Sequence, residues 1–352
     1  MNKELNILGQ NMRVFCKIFV TLLLLALVPQ SVFSLDGSGQ SDNPYRIKSI
    51  DDLKDLRNKI DGKTYIYVKQ EADIDVSTAT TSNAIVLPLT STYSSIAGFR
   101  FPNFFYGEYD GNGYSLMGWK LPQGKRCGTN SPFYMSIFGK LGDASKPLKS
   151  IVKNLTIDGA DIYLPDNTKD GWSVSFIAAF SDNASIENCN VINSTVQGNG
   201  GVMFGAISAD NKGNIENCSI TNTTFKSFKN AKTVGSISGN NSGKIKNCKA
   251  YNVTLYASSY IGGIVGSSSN NGYVETCSFN GKIGPSTNGE GKIENVGGLC
   301  GCINKGTFIN CFSVFSSAGV WKSGGQIGGL IGFIDPNCTS AIVKNCYSFP
   351  QI

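Results

Sequence analysis

This 352-residue chain predicts an all-β fold, a right-handed parallel β-solenoid of about seven to eight coils with a small N-terminal cap containing one helix. Three observations lead there. A tetrapeptide returns about every 30 residues, a glycine-rich motif is interleaved with it at a similar interval, and the units between are too short for a helix flanked by strands.

The tetrapeptide is an aliphatic or aromatic residue, any residue, Asn and then Cys. It occurs as Ile186-Glu-Asn-Cys189, Ile215-Glu-Asn-Cys218, Ile245-Lys-Asn-Cys248, Val274-Glu-Thr-Cys277, Phe308-Ile-Asn-Cys311 and Val343-Lys-Asn-Cys346. Val152-Lys-Asn-Leu155 fits with Leu in place of Cys, and Leu116-Met-Gly-Trp119 reads as a first, degenerate copy. From residue 155 onward the Cys positions are separated by 34, 29, 30, 29, 34 and 35 residues. The second motif reads Gly200-Gly-Val-Met-Phe-Gly205, Val234-Gly-Ser-Ile-Ser-Gly239, Gly262-Gly-Ile-Val-Gly266, Gly297-Gly-Leu-Cys-Gly301 and Gly328-Gly-Leu-Ile-Gly332. Each unit holds short apolar runs split by Asn-Gly, Ser-Gly or Lys-Gly turns, which makes it one coil of a solenoid. Coils stacked by parallel hydrogen bonding about 4.8 Å apart would give a rod body on the order of 35 Å long.

Side-chain alternation explains why Asn and Cys recur together. Ile215 and Ile220 are five apart, so one regular strand cannot turn both inward. A corner at Asn217 turns Ile215, Cys218 and Ile220 all inward, and Asn tolerates the left-handed conformation a corner needs. The amides are then expected to form a ladder along Asn154, Asn188, Asn217, Asn247, Asn310 and Asn345, with Thr276 as the exception. The cysteines Cys189, Cys218, Cys248, Cys277, Cys311 and Cys346 fill the interior as small apolar groups with free thiols. The glycines of the second motif imply tight packing or positive φ at another corner, while Ile264, Val265, Leu299, Leu330 and Ile331 supply core.

Three segments are expected: a signal peptide over 1–34, a cap over 35–104 and the repeats over 105–352. Arg13 and Lys17 precede the apolar run Ile18–Val28, and polar and small residues follow it, the order of a secretory signal. That run is about eleven residues, short of the roughly 20 a membrane span requires, so the membrane is a partner only during export. In the cap, Ser49-Ile-Asp-Asp52 resembles a capping box. Ile50, Leu53, Leu56 and Ile60 then mark one helical face ended by Gly62, and Tyr65–Val68 reads as a strand. Residues 76–98 read as a long loop. The last coil stops six residues after Cys346, which leaves its edge either continued or covered by something else.

Composition narrows the chemistry. There is no histidine, which removes Ser-His and Cys-His catalysis and His-ligated zinc. The net charge of +6 falls to +4 without residues 1–34, and no run of like charge resembles a nucleic-acid arm. The lysines are scattered through turns and read as solvated decoration. Glu108, Asp110, Asn112 and Gly113 match four positions of a calcium loop, yet Trp119 stands where its bidentate Glu belongs, so a tight turn is expected. No metal or cofactor follows from these residues, nor from Cys300-Gly-Cys302. Cys127, Cys300, Cys302 and Cys338 stand outside the Cys row. Of the Asn-x-Ser/Thr sequons, those at Asn154 and Asn217 belong to the ladder and are expected to be inaccessible. The aromatics Phe99, Phe101, Phe104, Phe105, Tyr106, Tyr109, Trp119, Phe133 and Tyr134 form either a plug between cap and first coil or a sugar-stacking groove.

The glycine motifs at 262–266, 297–301 and 328–332 resemble the GLUG motif, Gly-Gly-Leu-Val-Gly. It is found in repeat arrays of bacterial surface proteins, including adhesin-like proteins and the non-catalytic region of some immunoglobulin A peptidases. Asn43-Pro-Tyr-Arg-Ile47, Asp51-Asp-Leu53, Asp73-Ile-Asp75 and Phe105-Tyr-Gly-Glu-Tyr-Asp-Gly-Asn-Gly113 are similar to the leader that precedes such arrays. The resemblance implies a secreted or cell-surface β-helix and brings no catalytic residues. The functional expectation is a non-catalytic binding or adhesion scaffold, partnered by a glycan or protein of a host or neighbouring cell and not by nucleic acid. The alternative is a β-helical polysaccharide lyase or glycoside hydrolase using carboxylates on a lateral face. Asp158 and Asp161 are the close carboxylates on a clear strand, and outward acidic pairs on neighbouring coils would support that alternative. A structural segment of a larger surface assembly is the third possibility.

Overall fold

Each coil returns its strands to the same faces and hydrogen-bonds them in parallel to the coil before, so three parallel sheets wrap the chain into a solenoid. The computed structural model describes residues 35–78, 80–81, 84–85, 89, 95–96, 99–100, 104–121, 134–228, 232–285, 295–317 and 325–351. The leader over 1–34, with Cys16, lies outside them, as do Phe101, Cys127 and Phe133. The first sheet has ten strands, opening with Tyr45–Ile47, Ile66–Gln70 and Gly107–Asp110 and ending with Ala341–Lys344. The second has 18 and serves two successive stretches of most coils, and the third has seven, from Lys140–Leu141 to Ile331–Ile334. The expected all-β solenoid with one helix is the fold observed. About five of its turns, those whose first-sheet strands run from Ser150–Lys153 to Gly272–Glu275, have a complete coil on both sides. The expected seven to eight is slightly higher, since it included the coils that begin at Gly107–Asp110 and Gly306–Ile309.

Inward positions form rows along the axis. Val152, Ile186, Ile215, Ile245, Val274 and Phe308 follow one another at successive rungs of the first sheet, all fully buried. Ile157, Val191, Ile220, Ala250 and Phe279 do the same on the second. Each fully buried large side chain contributes about 1.5–3 kcal/mol, and β-branched residues suit the pleated surface. Asn193, Asn222 and Asn252, at φ 52°, 52° and 53°, make a second corner four residues after Cys189, Cys218 and Cys248. Their amides bridge coils too, from Asn222 Nδ2 to Asn193 Oδ1 at 3.3 Å and from Asn252 Nδ2 to Asn222 Oδ1 at 2.8 Å.

The third corner is polar inside. Ser181 Oγ donates to Asn211 Oδ1 at 2.8 Å, and Asn211 Nδ2 donates to Asn241 Oδ1 at 2.8 Å, with all three residues buried. The same amide oxygens accept from the Gly213 and Gly243 backbone N–H groups at 3.1 and 3.2 Å. Buried polar groups generally require such partners, and here both amide oxygens hold a turn, while the Asn241 Nδ2 at the end of the row is buried without a hydrogen-bond partner among the described residues.

The cap helix spans Ile50–Lys59, with Ser49 as N-cap accepting from the Asp52 N–H at 3.2 Å. Asp52 reaches back to the Lys48 N–H at 2.8 Å, one residue earlier than a regular capping box. Leu53, Leu56 and Ile60 are buried, and Gly62 follows at φ 66°. The stretch expected as a long loop, 76–98, contains one short antiparallel pair, Thr80–Thr81 with Ala84–Ile85, and the first strand of a second, Ser95–Ile96 with Phe99–Arg100. Between cap and first coil, Phe105, Tyr106, Tyr109 and Trp119 are buried, with Phe105 and Tyr109 edge-on to Phe138 at 5.3 and 5.2 Å. These aromatics form the plug.

Two registers differ from expectation. Gly205 pairs with Gly235, then Gly262, Gly297 and Gly328, so the early copy of the second motif is Gly205-Ala-Ile-Ser-Ala209. Leu116 pairs with Ile157 on the second sheet, after the corner. The first-coil equivalent of the tetrapeptide is therefore Tyr109-Asp-Gly111, its partners being Val152-Lys-Asn154. Two extra turn residues, Asn112 and Gly113, disguise it.

Candidate binding faces

The corner asparagines adopt the left-handed conformation: φ is 54° at Asn154, 52° at Asn188, 55° at Asn217, 54° at Asn247, 55° at Asn310 and 54° at Asn345. Their N–H groups donate across to the next coil, as from Asn217 to the Lys246 carbonyl at 3.0 Å. Amide bonds join Asn188 to Asn154 at 3.3 Å, Asn247 to Asn217 at 3.2 Å and Asn345 to Asn310 at 3.1 Å, and Asn154 continues to Asp110 at 2.9 Å. The row faces water. Asn188, Asn217, Asn247, Asn310 and Asn345 are exposed and Asn154 is half-buried, so the expected inaccessibility of Asn154 and Asn217 does not hold. A corner that turns both flanking side chains inward leaves its own side chain outside.

The sulfurs take the opposite side. Cys189, Cys218, Cys248, Cys277 and Cys311 are free and buried, and Cys346 is half-buried on the last coil. Each thiol lies near the carbonyl two residues earlier, at 3.1–3.4 Å from Cys248 Sγ to the Lys246 oxygen and from Cys346 Sγ to the Lys344 oxygen. Burial pushes the Cys218 thiol well above its ordinary range, and the neighbouring Cys277 thiol pushes Cys311 up to about 12. These groups are inert filler and not nucleophiles. Cys300 and Cys302 are buried in the third sheet.

Thr276 is the strained member of the corner row, a β-branched residue at φ 53°. Left-handed geometry costs an ordinary residue about 1–2 kcal/mol, and Asn is among those that tolerate it. Thr276→Asn is expected to stabilise the fold by about 1 kcal/mol, read as a higher urea midpoint at unchanged slope. Thr276→Gly separates relief of strain from the added amide. A lower midpoint for the Asn variant would refute the strain account.

Outward of the corners, the first sheet carries one row of side chains per coil in the order Asp110, Lys153, Glu187, Glu216, Lys246, Glu275, Ile309 and Lys344. Lys153 bridges to Glu108 at 2.7 Å and Asp110 at 3.7 Å, which engages the acids of the calcium-loop-like turn. Lys246 bridges to Glu275 at 2.8 Å, raising the lysine pKa and lowering that of the glutamate. Glu187 and Glu216 stand side by side on neighbouring coils, Glu187 also accepting from Ser185 Oγ at 2.6 Å. The pair expected on one strand, Asp158 and Asp161, is split by the corner at Gly159, φ 63°, and Asp158 accepts from Asn193 at 3.0 Å.

Between the third and first sheets an open groove of about 580 Å³ crosses three successive coils. Lys212, Gly213 and Asn214 line it from one coil, Ser242 to Lys244 and Lys246 from the next, and Asn271 and Tyr273 from the third. Its floor is the pair of turns held from inside by Asn211 and Asn241. A Cβ on Gly272 would stand 3.0 Å from the Asn241 amide nitrogen and closer still to the Asn241 carbonyl, so glycine lets these turns stack. Lys246 sits over the Tyr273 ring at 5.4 Å and Lys212 over the Phe180 ring at 5.0 Å. Sequence reasoning missed this groove because its lysines are 32 residues apart in the chain, from Lys212 to Lys244, and only coil stacking joins them.

No protein-family model matches the chain, and no curated protein matches it. Among solved structures, one titled as a "putative immunoglobulin A1 protease" from Bacteroides ovatus is similar over 88% of this chain and 76% of its own, at 18% identity and a TM-score of 0.46. That likeness bears on neither binding nor catalysis. Among the described residues, no helix is long and apolar enough to cross a membrane.

Proposed function

We propose that this chain is an exported, GLUG-like, non-catalytic scaffold that presents its lateral face to a glycan or protein of a host or neighbouring cell. One observation carries the proposal: stacked coils build a polar groove of ligand size whose lining contains no carboxylate. The fold spends its repeated residues on corners and apolar core, while charge and polarity change along the outward rows where contacts are made. Incubating the full chain with neutral and acidic polysaccharides should release no new chain ends, while the same protein is retained on a glycan or matrix-protein array. Depolymerisation by the purified protein overturns the proposal.

A specific feature favours a second reading, a carboxylate-dependent lyase or hydrolase. Glu187 and Glu216 are the outward acidic pair on neighbouring coils that such chemistry requires, about one 4.8 Å rung apart in the backbone. Under that reading Glu216→Gln abolishes depolymerisation and leaves retention on the array intact. Under the scaffold proposal there is no depolymerisation to lose.

A further inference from the structure

We infer that the groove over Lys212, Lys244 and Tyr273 takes an anionic glycan, a polysaccharide bearing carboxylates or sulfates. This rests on the scaffold proposal and names the ligand class of the same site. Lys244 is exposed and has no ion pair among the described residues, while Asn214 and Tyr273 flank it at the same register on the coils to either side. Lys212 projects from the turn one coil earlier, and Lys246 shares its charge with Glu275. The cationic groups therefore span one step of the solenoid axis, Lys212 on one coil and Lys244 with Lys246 on the next, about 4.8 Å per rung, and Tyr273 continues the groove on the third coil, which suits a linear polymer lying along it. Asn214, Ser242 and Asn271 supply amide and hydroxyl groups that match sugar hydroxyls, which both donate and accept. Tyr273 offers a half-buried ring with an apolar face.

The lining also argues against other partners. A stable protein interface covers about 800 Å² per side around an apolar core, and no aliphatic side chain lines this groove. Single-stranded nucleic acid calls for several stacking aromatics along a basic channel, and here one aromatic stands among three lysines. Charge together with hydroxyl-matching groups points to an acidic sugar polymer.

The test is binding of the full chain to four probes: a galacturonate hexamer, a heparin-derived hexasaccharide, the carboxyl-reduced neutral hexamer and a polyglutamate peptide of equal charge. The acidic glycans should bind at least about tenfold more tightly than the neutral one, and raising salt to about 0.5 M should weaken them strongly, because exposed charges are screened. The two acidic glycans separate carboxylate from sulfate as the source of charge, and either one binding supports the inference. Lys244→Gln and Lys212→Gln should each weaken binding about fivefold, the upper range for an exposed charge contact. Glu275→Gln, which frees Lys246, should strengthen it, a gain that damage to the fold cannot imitate. Equal affinity for the neutral hexamer, equal affinity for polyglutamate, or indifference to both lysine variants overturns the inference. Retention of neutral glycans or proteins on the array without acidic-glycan binding overturns it too, yet leaves the scaffold proposal standing. That proposal fails separately, through depolymerisation.

Discussion

Raising the pH from 9 to 10 is expected to remove about 5 kcal/mol from the stability of the reduced protein, enough to unfold an ordinary domain. The cause is the sulfur row and its neighbour in the third sheet. Burial raises Cys218, Cys277 and Cys300 well above the ordinary value of 9.0, and at Cys248 and Cys311 the adjacent thiol, Cys218 or Cys277, is the first cause. All five folded values therefore exceed their unfolded ones. Stability from these groups is fully present below pH 9 and is lost as the pH climbs toward the folded values, because the unfolded chain sheds protons that the folded chain must keep. For one thiol that linkage amounts to about 1 kcal/mol between pH 9 and 10, and the unfolded thiols titrate independently. Tyr65 and Tyr109, also raised by burial, add to the loss at higher pH. Urea midpoints measured in reductant at pH 8, 9 and 10 give the slope. Replacing Cys218, Cys248 and Cys277 together by Ala should flatten it by more than half, whatever the triple variant costs at pH 8. A midpoint unchanged from pH 8 to pH 10 in the parent protein would show that the thiols are solvated.

The corner that makes this row was legible because few residue types satisfy it. A position at φ near 55° accepts Asn or Gly readily, and a small apolar group must follow where the chain turns back inward. Ile215, Cys218 and Ile220 all being buried is what the five-residue spacing required. The second corner was written too, four residues after Cys189, Cys218 and Cys248, but Asn193, Asn222 and Asn252 also spell Asn-x-Ser/Thr, and Gly281 and Phe315 stand at the same offset after Cys277 and Cys311, which hides the pattern. The acidic pair was hidden differently. The second position of the tetrapeptide was treated as free, although in-register stacking turns every such position into one outward row and so sets Glu187 beside Glu216. The groove lay furthest from view, since its charges come from two neighbouring coils, Lys212 on one and Lys244 with Lys246 on the next, and acquire meaning only once Asn211 and Asn241 hold the turns together. Local rules fix corners and core; function on a solenoid is a property of neighbours about 30 residues apart.

The same distinction decides what the glycine motif does. Positive φ and close packing were both open to it, and Gly262, Gly297 and Gly298 have no left-handed φ, so close packing accounts for them. A Cβ on Gly262 would meet the Val265 carbonyl oxygen inside contact distance and the Cα of Cys300 on the next coil at 2.8 Å. On Gly298 it would meet the Gly329 carbonyl and the Ser313 hydroxyl inside contact distance, with the Phe315 ring at 2.9 Å. At Gly262 the opposing atoms are backbone of its own and of the next coil, and at Gly298 they are the next coil's carbonyl and two buried side chains, so neither site can yield without parting the coils or repacking the core. Gly262→Ala and Gly298→Ala are each expected to cost about 3 kcal/mol or more, the upper end for overpacking a core. Gly329 occupies the same column as Gly298 one coil later, but its added Cβ would meet only the Ser348 side chain at 3.4 Å, so Gly329→Ala should cost less than about 1 kcal/mol. One residue type, one motif position and one substitution then differ only in whether another coil lies on top. Thermal melts of the three variants decide it. If Gly329→Ala destabilises as much as Gly298→Ala, the glycines serve the local turn, and the stacking of coils is not what selects them.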